Sequence, residues 1–564
     1  MQLIYLWVLE FRNIRDQGFN FSSKFLISFD SRKGDLQIRD NPNYMPFFFG
    51  EAISDVTGIV GENAAGKTNL LELISYVMDG GNTRVALPFL LVFETTTGIQ
   101  VQTYELKEPN VNRAVTFAKY PSQQKQLETV YFSNTFDGRR HDFGKTVHDL
   151  SSNGLLYGNS FRENIQTSLK REVQGQIHFL RGQVYRSMNA EGLDIKPAFV
   201  QFISPIWENI YSRAKSFDQL VGSTLNSDFN ELSAFCKHFR SEFSRRTVEK
   251  PLLQYTAFLL LLDFLCNEMI LEANGQRRPS EKKVLEKELK MLDLKSLAIS
   301  SPMEIFERIT GPIALFIDAS YPHTFEKFKF LHELKNFEFP ALPWGSAGTY
   351  SNRKYEFRAP MTEETQRFVS GYLNASTQLN LNYNIEWPGI SAGQKAFLVM
   401  FSRFYEISGQ VKADNLLLMI DEGDLYFHPR WQVEFLSQML RTLPLLFPGK
   451  KLQLILTTHS PFLVSDLTKS HLIFLRKRGN KCQVVPAEEI EGETFGGNIG
   501  ELYLHAFFLQ GHLISDFAAD KIRRLLEKIK SGKEQLSGAD QALADQLGDR
   551  LIRYQIKQLR DDKN

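Results

Sequence analysis

The sequence predicts an α/β fold: a mixed sheet flanked by helices, interrupted by a mostly helical insertion and closed by a helical tail. Three observations carry that expectation. Strand-length apolar and aromatic runs crowd residues 1–160, among them Leu3-Ile-Tyr-Leu-Trp-Val-Leu-Glu-Phe11, Phe25-Leu-Ile-Ser-Phe29, Leu90-Leu-Val-Phe-Glu94 and Val130-Tyr-Phe-Ser133. Over 161–335 glycine thins out and helical spacing takes over, as with Leu285, Leu289 and Leu292. Strands and helices alternate again over 336–510, where Leu416–Ile420, Leu452–Leu456 and Leu472–Leu475 are apolar runs bounded by polar residues.

Taken in order, the run Val56-Thr-Gly-Ile-Val60 ends in a glycine loop, and Lys67 to Val77 then has helical spacing (Leu70, Leu71, Leu73, Ile74, Val77). The charges of Glu281-Lys-Lys-Val-Leu-Glu-Lys-Glu-Leu-Lys-Met-Leu292 suit a solvated helix face, and no heptad pattern persists long enough for a coiled coil. Residues 336–360 are rich in Pro, Gly and Ser and read as a loop leading back to a sheet. A helical run follows from Ala396 to Tyr405, and the tail, 511–564, reads as one or two charged amphipathic helices.

Composition excludes several classes. Sixty-six Lys+Arg against 65 Asp+Glu give a net charge of +1, so the chain is not a polycation built to coat nucleic acid. Hydrophobic residues at 43% and charged residues at 23% are ordinary globular usage, which argues against a disordered or fibrous chain. Cys236, Cys266 and Cys482 form no CxxC, which excludes a disulfide scaffold and a cysteine zinc site and fits a reducing cytosol. Met1–Trp7 lacks the basic region of a signal peptide. The longest apolar run, Phe258–Cys266, contains Asp263 and falls far short of the ~20 residues that span a bilayer. The expectation is a soluble, cytoplasmic protein with no membrane contact.

Four motifs carry chemistry. Gly61-Glu-Asn-Ala-Ala-Gly66-Lys67-Thr68 matches GxxxxGK[ST] between a strand and a helix. Its glycines let successive backbone N–H groups curl around an anion, and the following helix adds its positive end. Gly61, Asn63, Ala65, Gly66, Lys67, Thr68 and Asn69 are the candidate phosphate-binding residues. Lys67 places a point charge on the β/γ-phosphates and the Thr68 hydroxyl ligates Mg²⁺.

Leu416-Leu-Leu-Met-Ile-Asp421-Glu422 is an apolar strand ending in two carboxylates, a Walker B pattern. Asp421 is placed to hold Mg²⁺, and Glu422 to take a proton from an attacking water. Ser391-Ala-Gly393-Gln394-Lys395, directly ahead of a helical run, offers a hydroxyl, an unhindered N–H and a helix N-terminus, a second anion cradle. One γ-phosphate does not need two helix N-termini from one chain, so the cradle is expected to serve another protomer's nucleotide. Finally, Leu454-Ile-Leu-Thr457-Thr458-His459-Ser460-Pro461 sets His459 at a strand end, where it can hydrogen-bond a γ-phosphate and report its presence.

This order of phosphate loop, SxGQ signature, Asp-Glu strand and strand-end histidine resembles the ATP-binding-cassette/SMC class of P-loop ATPase heads. The resemblance implies two heads dimerised head to tail around two ATP molecules, with Mg²⁺, and makes 1–160 and 336–510 two lobes of one head. Within the class the closer likeness is to the PtuA ATPases of Septu-type and retron-associated anti-phage defence systems. It rests on Leu3-Ile-Tyr-Leu-Trp-Val8, Asn13-Ile14 and Gly18-Phe-Asn-Phe-Ser22. It rests also on Tyr131-Phe-Ser-Asn-Thr-Phe-Asp137, on Ile420–Gln432, and on Thr494–Leu502 with Ala506–Leu509.

That resemblance implies a sensing and gating subunit that works with a PtuB-like HNH nuclease. In a retron setting a reverse transcriptase and its multicopy DNA (msDNA) join, so nucleic acid is met through the complex. It places Arg12 and Asn13 near the nucleotide and Asn134 where the class usually carries a glutamine contacting Mg²⁺ or the attacking water. It also sets Leu425–Pro429 where dimer partners touch. Two alternatives stay open: a RecF/SMC-like DNA-repair ATPase that binds duplex directly, and a switch that binds ATP with negligible hydrolysis.

Overall fold

The computed structural model describes residues 1–80, 88–121, 126–144, 146–157, 165–188, 199–204, 355–360, 363, 384–387, 389–509, 513–531 and 536–561. The helical expectation at 281–292 and the apolar run at 258–266 lie outside the described residues.

In chain order the N-terminal part supplies β1 (Gln2–Phe11), β2 (Ile14–Asn20), β3 (Phe25–Asp30), β4 (Asp35–Asp40) and β5 (Ile53–Gly61), then helix α1 (Lys67–Asp79). It continues with β6 (Phe89–Thr95), β7 (Gly98–Tyr104), β8 (Asn110–Val111), β9 (Thr116–Lys119), β10 (Leu127–Ser133), β11 (Val147–Asp149) and α2 (Ser152–Tyr157). Helices α3 (Ile165–Arg181) and α4 (Gln183–Ser187) lead to β12 (Phe199–Ser204), β13 (Tyr355–Pro360) and β14 (Asn384–Glu386). After them come α5 (Ala392–Ser408), β15 (Asn415–Asp421), α6 (Pro429–Leu446), β16 (Lys451–Thr457), α7 (Pro461–Ser465), β17 (Leu472–Arg478) and β18 (Lys481–Val485). The tail holds α8 (Ile499–His505), α9 (Asp516–Ser531), α10 (Gly538–Asp545) and α11 (Arg550–Asp561).

Twelve strands form one mixed sheet in the order β11-β10-β15-β16-β5-β17-β18-β2-β1-β6-β7-β9. From β11 to β17 every pairing is parallel. The central strands β5, β15 and β16 are nearly continuous buried runs, as a strand covered on both faces requires. One face is covered by α1, whose Leu70, Leu71, Ile74 and Val77 share a core with Tyr131, Leu417, Met419 and Ile455. On the antiparallel wing β6 alternates cleanly. Phe89, Leu91 and Phe93 join that core, while Leu90 and Val92 join a second one with Phe25, Ile27, Leu36 and Ile38 of the small β3-β4-β8 sheet.

Helix α3 is clamped to α5 by a nearly buried ion pair: Arg403 Nη2 lies 2.6 Å from Glu172 Oε1, and Arg403 Nη1 donates to the Leu150 carbonyl at 2.8 Å. Trp387 Nε1 adds a 2.6 Å bond to Gln176 Oε1. Removing one partner strands the other charge in a poorly solvated site. Arg403→Ala is therefore expected to cost about 3–5 kcal/mol, read as a lowered urea midpoint, with Glu172→Gln costing less because it keeps a carbonyl acceptor.

Three details differ from expectation. The stretch read as mostly helical contributes β12, which pairs antiparallel with β13 and β14 in a separate three-stranded sheet. The loop expected to run to residue 360 gives way to β13 at Tyr355. The tail beyond residue 511 forms three helices rather than one or two, because Ser537 and Asp540 make a capping box and Asp549 Oδ1 accepts from Leu551 N and Ile552 N, restarting the helix twice. Leu525, Ile529, Ala544, Leu547 and Ile556 give these helices a small core of their own. Among the described residues no helix is long and apolar enough to cross a membrane.

Candidate functional site

The carboxyl ends of β5, β15 and β16 lie side by side, with Asp421 opposite Thr457 and Thr457 opposite Ile59. Open parallel sheets place ligands at this end. The loop leaving β5 needs its glycines. Gly61 (φ +146°) faces the Leu475 carbonyl so closely that a Cβ would collide with it, and Gly66 (φ +112°) would bring a Cβ to 3.0 Å from the Asn13 amide.

Lys67 is buried, and its Nζ donates to the carbonyls of Gly61 (3.1 Å) and Glu62 (3.2 Å). Burial lowers its pKa, against the attraction of Glu422 and Asp421. Thr68 Oγ1 donates to Asp421 Oδ2 at 3.0 Å, and Thr457 Oγ1 donates to Asp421 Oδ1 at 2.6 Å. Burial pushes the Asp421 carboxyl up to about 6, opposed by the Thr457 bond. Glu422 is half-turned into the left-handed region (φ +50°), with its N–H held by Thr457 Oγ1 at 2.9 Å. Its carboxylate lies 3.3 Å from His459 Nε2, and that hydrogen bond, more than any other influence, holds it below the usual carboxylate range. A non-glycine residue in this backbone region is strained, and such strain gathers at working sites.

Arg12 and Asn13 form the β1–β2 turn and reach the loop. Asn13 Nδ2 donates to the Ala65 carbonyl (3.2 Å), Asn69 Nδ2 to Asn13 Oδ1 (2.7 Å) and Arg12 Nη1 to Asn69 Oδ1 (2.8 Å). Arg12 also pairs with the buried carboxylate of Glu72 at 2.5 Å, and Arg139 approaches the same group at 3.5 Å. Asn63 is exposed on the crest of the loop. Asn134 follows Ser133, the register partner of Asp421, and its Nδ2 is buried without an acceptor.

These residues fit a magnesium-bound triphosphate. A buried cation bonded only to carbonyls, a hydroxyl and a carboxylate converging at 3.0 Å, and an orphaned amide beside them are groups that an anion and its counter-ion would satisfy.

The structure does not bring Ser391 into this cluster. Ser391 caps α5, its Oγ accepting from Gln394 N at 3.2 Å while Gln394 Oε1 accepts from Ser391 N at 2.8 Å. Lys395 is exposed, and Gly393 is buried. A Cβ on Gly393 would stand 3.1 Å from the Trp431 ring, so the glycine serves packing as well as any anion. Sequence reasoning missed Thr457, which bonds the Asp421 carboxylate and the Glu422 backbone N–H, and Glu72, which anchors two arginines. The hydroxyls flanking His459 at a strand end were the available signal for the first; an isolated glutamate on a helix gives none for the second.

Two comparisons bear on the site. Residues 319–465, about a quarter of the chain, match the family described as "AAA domain, putative AbiEii toxin, Type IV TA system". The chain is 27% identical over 121 residues to protein ea59 of Escherichia phage lambda, covering 22% of this chain and 21% of that protein. The chain thus spans about a fifth of the length of this curated relative. The family match takes in Ser391, Asp421, Glu422 and His459; the twelve-stranded sheet seats Asp421, Glu422 and His459 beside the Gly61–Thr68 loop, and this sheet with its flanking helices fits an α/β P-loop fold.

Proposed function

We propose that this chain binds and hydrolyses ATP as the sensing and gating subunit of an anti-phage defence complex, controlling a PtuB-like HNH nuclease in trans. The single observation that carries the reading is the convergence of Lys67, Thr68, Asp421, Glu422 and His459 at three adjacent strand ends. The match to a family described by an abortive-infection toxin supports the defence setting.

In this reading Lys67 and the loop N–H groups bind the phosphates. Thr68 and Asp421, with Asn134 beside them, hold Mg²⁺, which neutralises phosphate charge when bound. Glu422 accepts the proton of the attacking water, and His459 orients Glu422 and touches the γ-phosphate. Ser391 and Lys395, both exposed, together with Gly393 and Gln394 meet the nucleotide of a second copy, so two heads close on two ATP molecules. A reverse transcriptase and msDNA complete the assembly where the chain belongs to a retron.

The test is co-expression with the neighbouring reading frames under phage challenge. Resistance is expected to need an HNH partner and to vanish with Lys67→Ala. Full resistance from this chain alone rejects the gating role.

One observation favours a second reading, a RecF/SMC-like head on duplex DNA: Arg476, Lys477, Arg478 and Lys481 are all exposed on the β17–β18 hairpin. Duplex retardation in a gel that weakens steeply with salt and responds to ATP would support it.

A further inference from the structure

The three tail helices enclose their own core, and polar bonds fix how the last two meet. Leu525 and Ile529 of α9, Ala544 of α10, Leu547 in the turn and Ile556 of α11 are buried together, with Ile552 and Leu559 packed against them. Between α10 and α11 the chain has only Gln546-Leu-Gly-Asp549, a four-residue turn containing a glycine. Arg553 reaches back across it, Nε and Nη2 both donating to the Leu547 carbonyl, the first at 2.8 Å. Asp549 Oδ1 accepts from Leu551 N and Ile552 N at 2.9 Å each, and Lys528 Nζ of α9 pairs with Asp540 of α10 at 3.1 Å. A short turn tied down on both sides, with a third helix completing the core, has the build of a helix-turn-helix.

The outer face of α11 has a different chemistry. From Arg550 to Arg560 the sequence holds four basic residues and no acid, in a chain whose net charge is only +1. Arg550, Tyr554 and Lys557 stand at i, i+4 and i+7, on the side of the helix opposite Ile552, Ile556 and Leu559. Arg550 and Lys557 are exposed, and among the described residues neither is ion-paired. Tyr554 is 58% exposed and its hydroxyl accepts from Gln558 Nε2 at 2.7 Å, while Leu551 beside them is 66% exposed. One stripe thus offers two uncommitted cations, an amide, a phenol and an apolar side chain, the groups that meet phosphates and base edges.

We infer that the tail is a helix-turn-helix that docks on double-stranded DNA, with α11 lying in the major groove. Charge complementarity names the occupant, since DNA phosphates supply the anions that this stripe lacks within its own chain. The twelve residues of α11 span about 18 Å, and a B-form major groove about 12 Å wide admits one such helix. The major groove of duplex RNA is too deep and narrow to be read that way. Arg550, at the helix start, is placed for a base edge, Leu551 for a thymine methyl and Lys557 for a phosphate. The inference is independent of the two-headed reading, and its surface is separate from the basic β17–β18 hairpin.

The experiment measures retardation of a labelled, mixed-sequence DNA duplex of about 30 base pairs by the full chain without nucleotide, over roughly 50 to 200 mM salt. Binding is expected to weaken steeply as salt rises. Arg550→Ala combined with Lys557→Ala is expected to weaken it about a hundredfold, roughly tenfold per contact, and to flatten the salt slope by about two. Thermal unfolding and its response to ATP are expected to match the parent, because neither side chain is ion-paired within the chain. Lys67→Ala is expected to bind the duplex as the parent does.

Arg550→Lys combined with Lys557→Arg keeps both charges and is expected to retain the binding and its salt slope; a loss as deep as that of the alanine pair would mark a structural effect and overturn the inference. A parent chain that leaves the duplex free at the lowest salt overturns it and returns the stripe to a protein surface. An alanine pair that binds as tightly as the parent, with an unchanged slope, overturns it too. Loss of binding with Arg478→Ala and Lys481→Ala instead would move the DNA to the hairpin, and loss with Lys67→Ala would move it to nucleotide-driven heads, either result removing the tail. Equal retention of an RNA duplex of the same length would reject the major-groove assignment.

Discussion

Lys67→Ala is expected to abolish measurable ATP binding while leaving the empty protein as stable as before, or more so. The ammonium is buried, bonds only two carbonyls, and has its pKa lowered by that burial, so folding works against its charge. Deleting it removes a desolvation cost and breaks no ion pair. A phosphate within reach changes the balance, since a charge-assisted bond at this depth is worth about 3–4 kcal/mol, or a factor of several hundred in affinity. Thermal unfolding with and without ATP and Mg²⁺ reads both effects. The parent's nucleotide-induced stabilisation disappears in the variant, and its unliganded midpoint holds or rises. A variant that keeps its nucleotide-induced shift would remove Lys67 from the phosphate site.

Glu422→Gln is expected to bind ATP normally, to cut turnover by about 10²–10⁴-fold, the usual range for a lost general base, and to accumulate as an ATP-bound dimer. The swap preserves shape and the 3.3 Å contact with His459 but removes the only property a base needs. The His459 bond holds the Glu422 pKa low, so the carboxylate is ionised and ready at neutral pH. Steady-state phosphate release together with light scattering separates the outcomes. Unchanged turnover would mean that another group takes the proton, and negligible turnover in the parent as well would mark the chain as a binding switch.

The site was legible because each reactive group terminates an apolar strand. Gly61 closes β5, Asp421 and Glu422 close β15, and Thr457–His459 close β16, so pattern alone located three strand ends. Their adjacency came from pairing, and the bonds through Thr457 and Thr458 join residues more than thirty positions apart, which no local signal encodes. The same holds for Arg403 and Glu172, ordinary charges on two helices until packing sets them together. Polar strands were hard to read: β2, Ile14-Arg-Asp-Gln-Gly-Phe-Asn20, alternates too weakly to stand out, yet it links β18 to β1. The tail's helix count was missed because serine and aspartate caps look like any surface residue until their bonds are seen.

The strand order has an outcome for biosynthesis. β5, which bears the phosphate loop, is flanked by β16 and β17, so both of its neighbours emerge from the ribosome some 400 residues later. At ordinary elongation rates of roughly 5–20 residues per second the nascent loop strand waits about 20–80 seconds for its partners. A polypeptide cut short between residues 68 and 450 therefore carries Lys67 beside a strand whose two sheet neighbours have not been made.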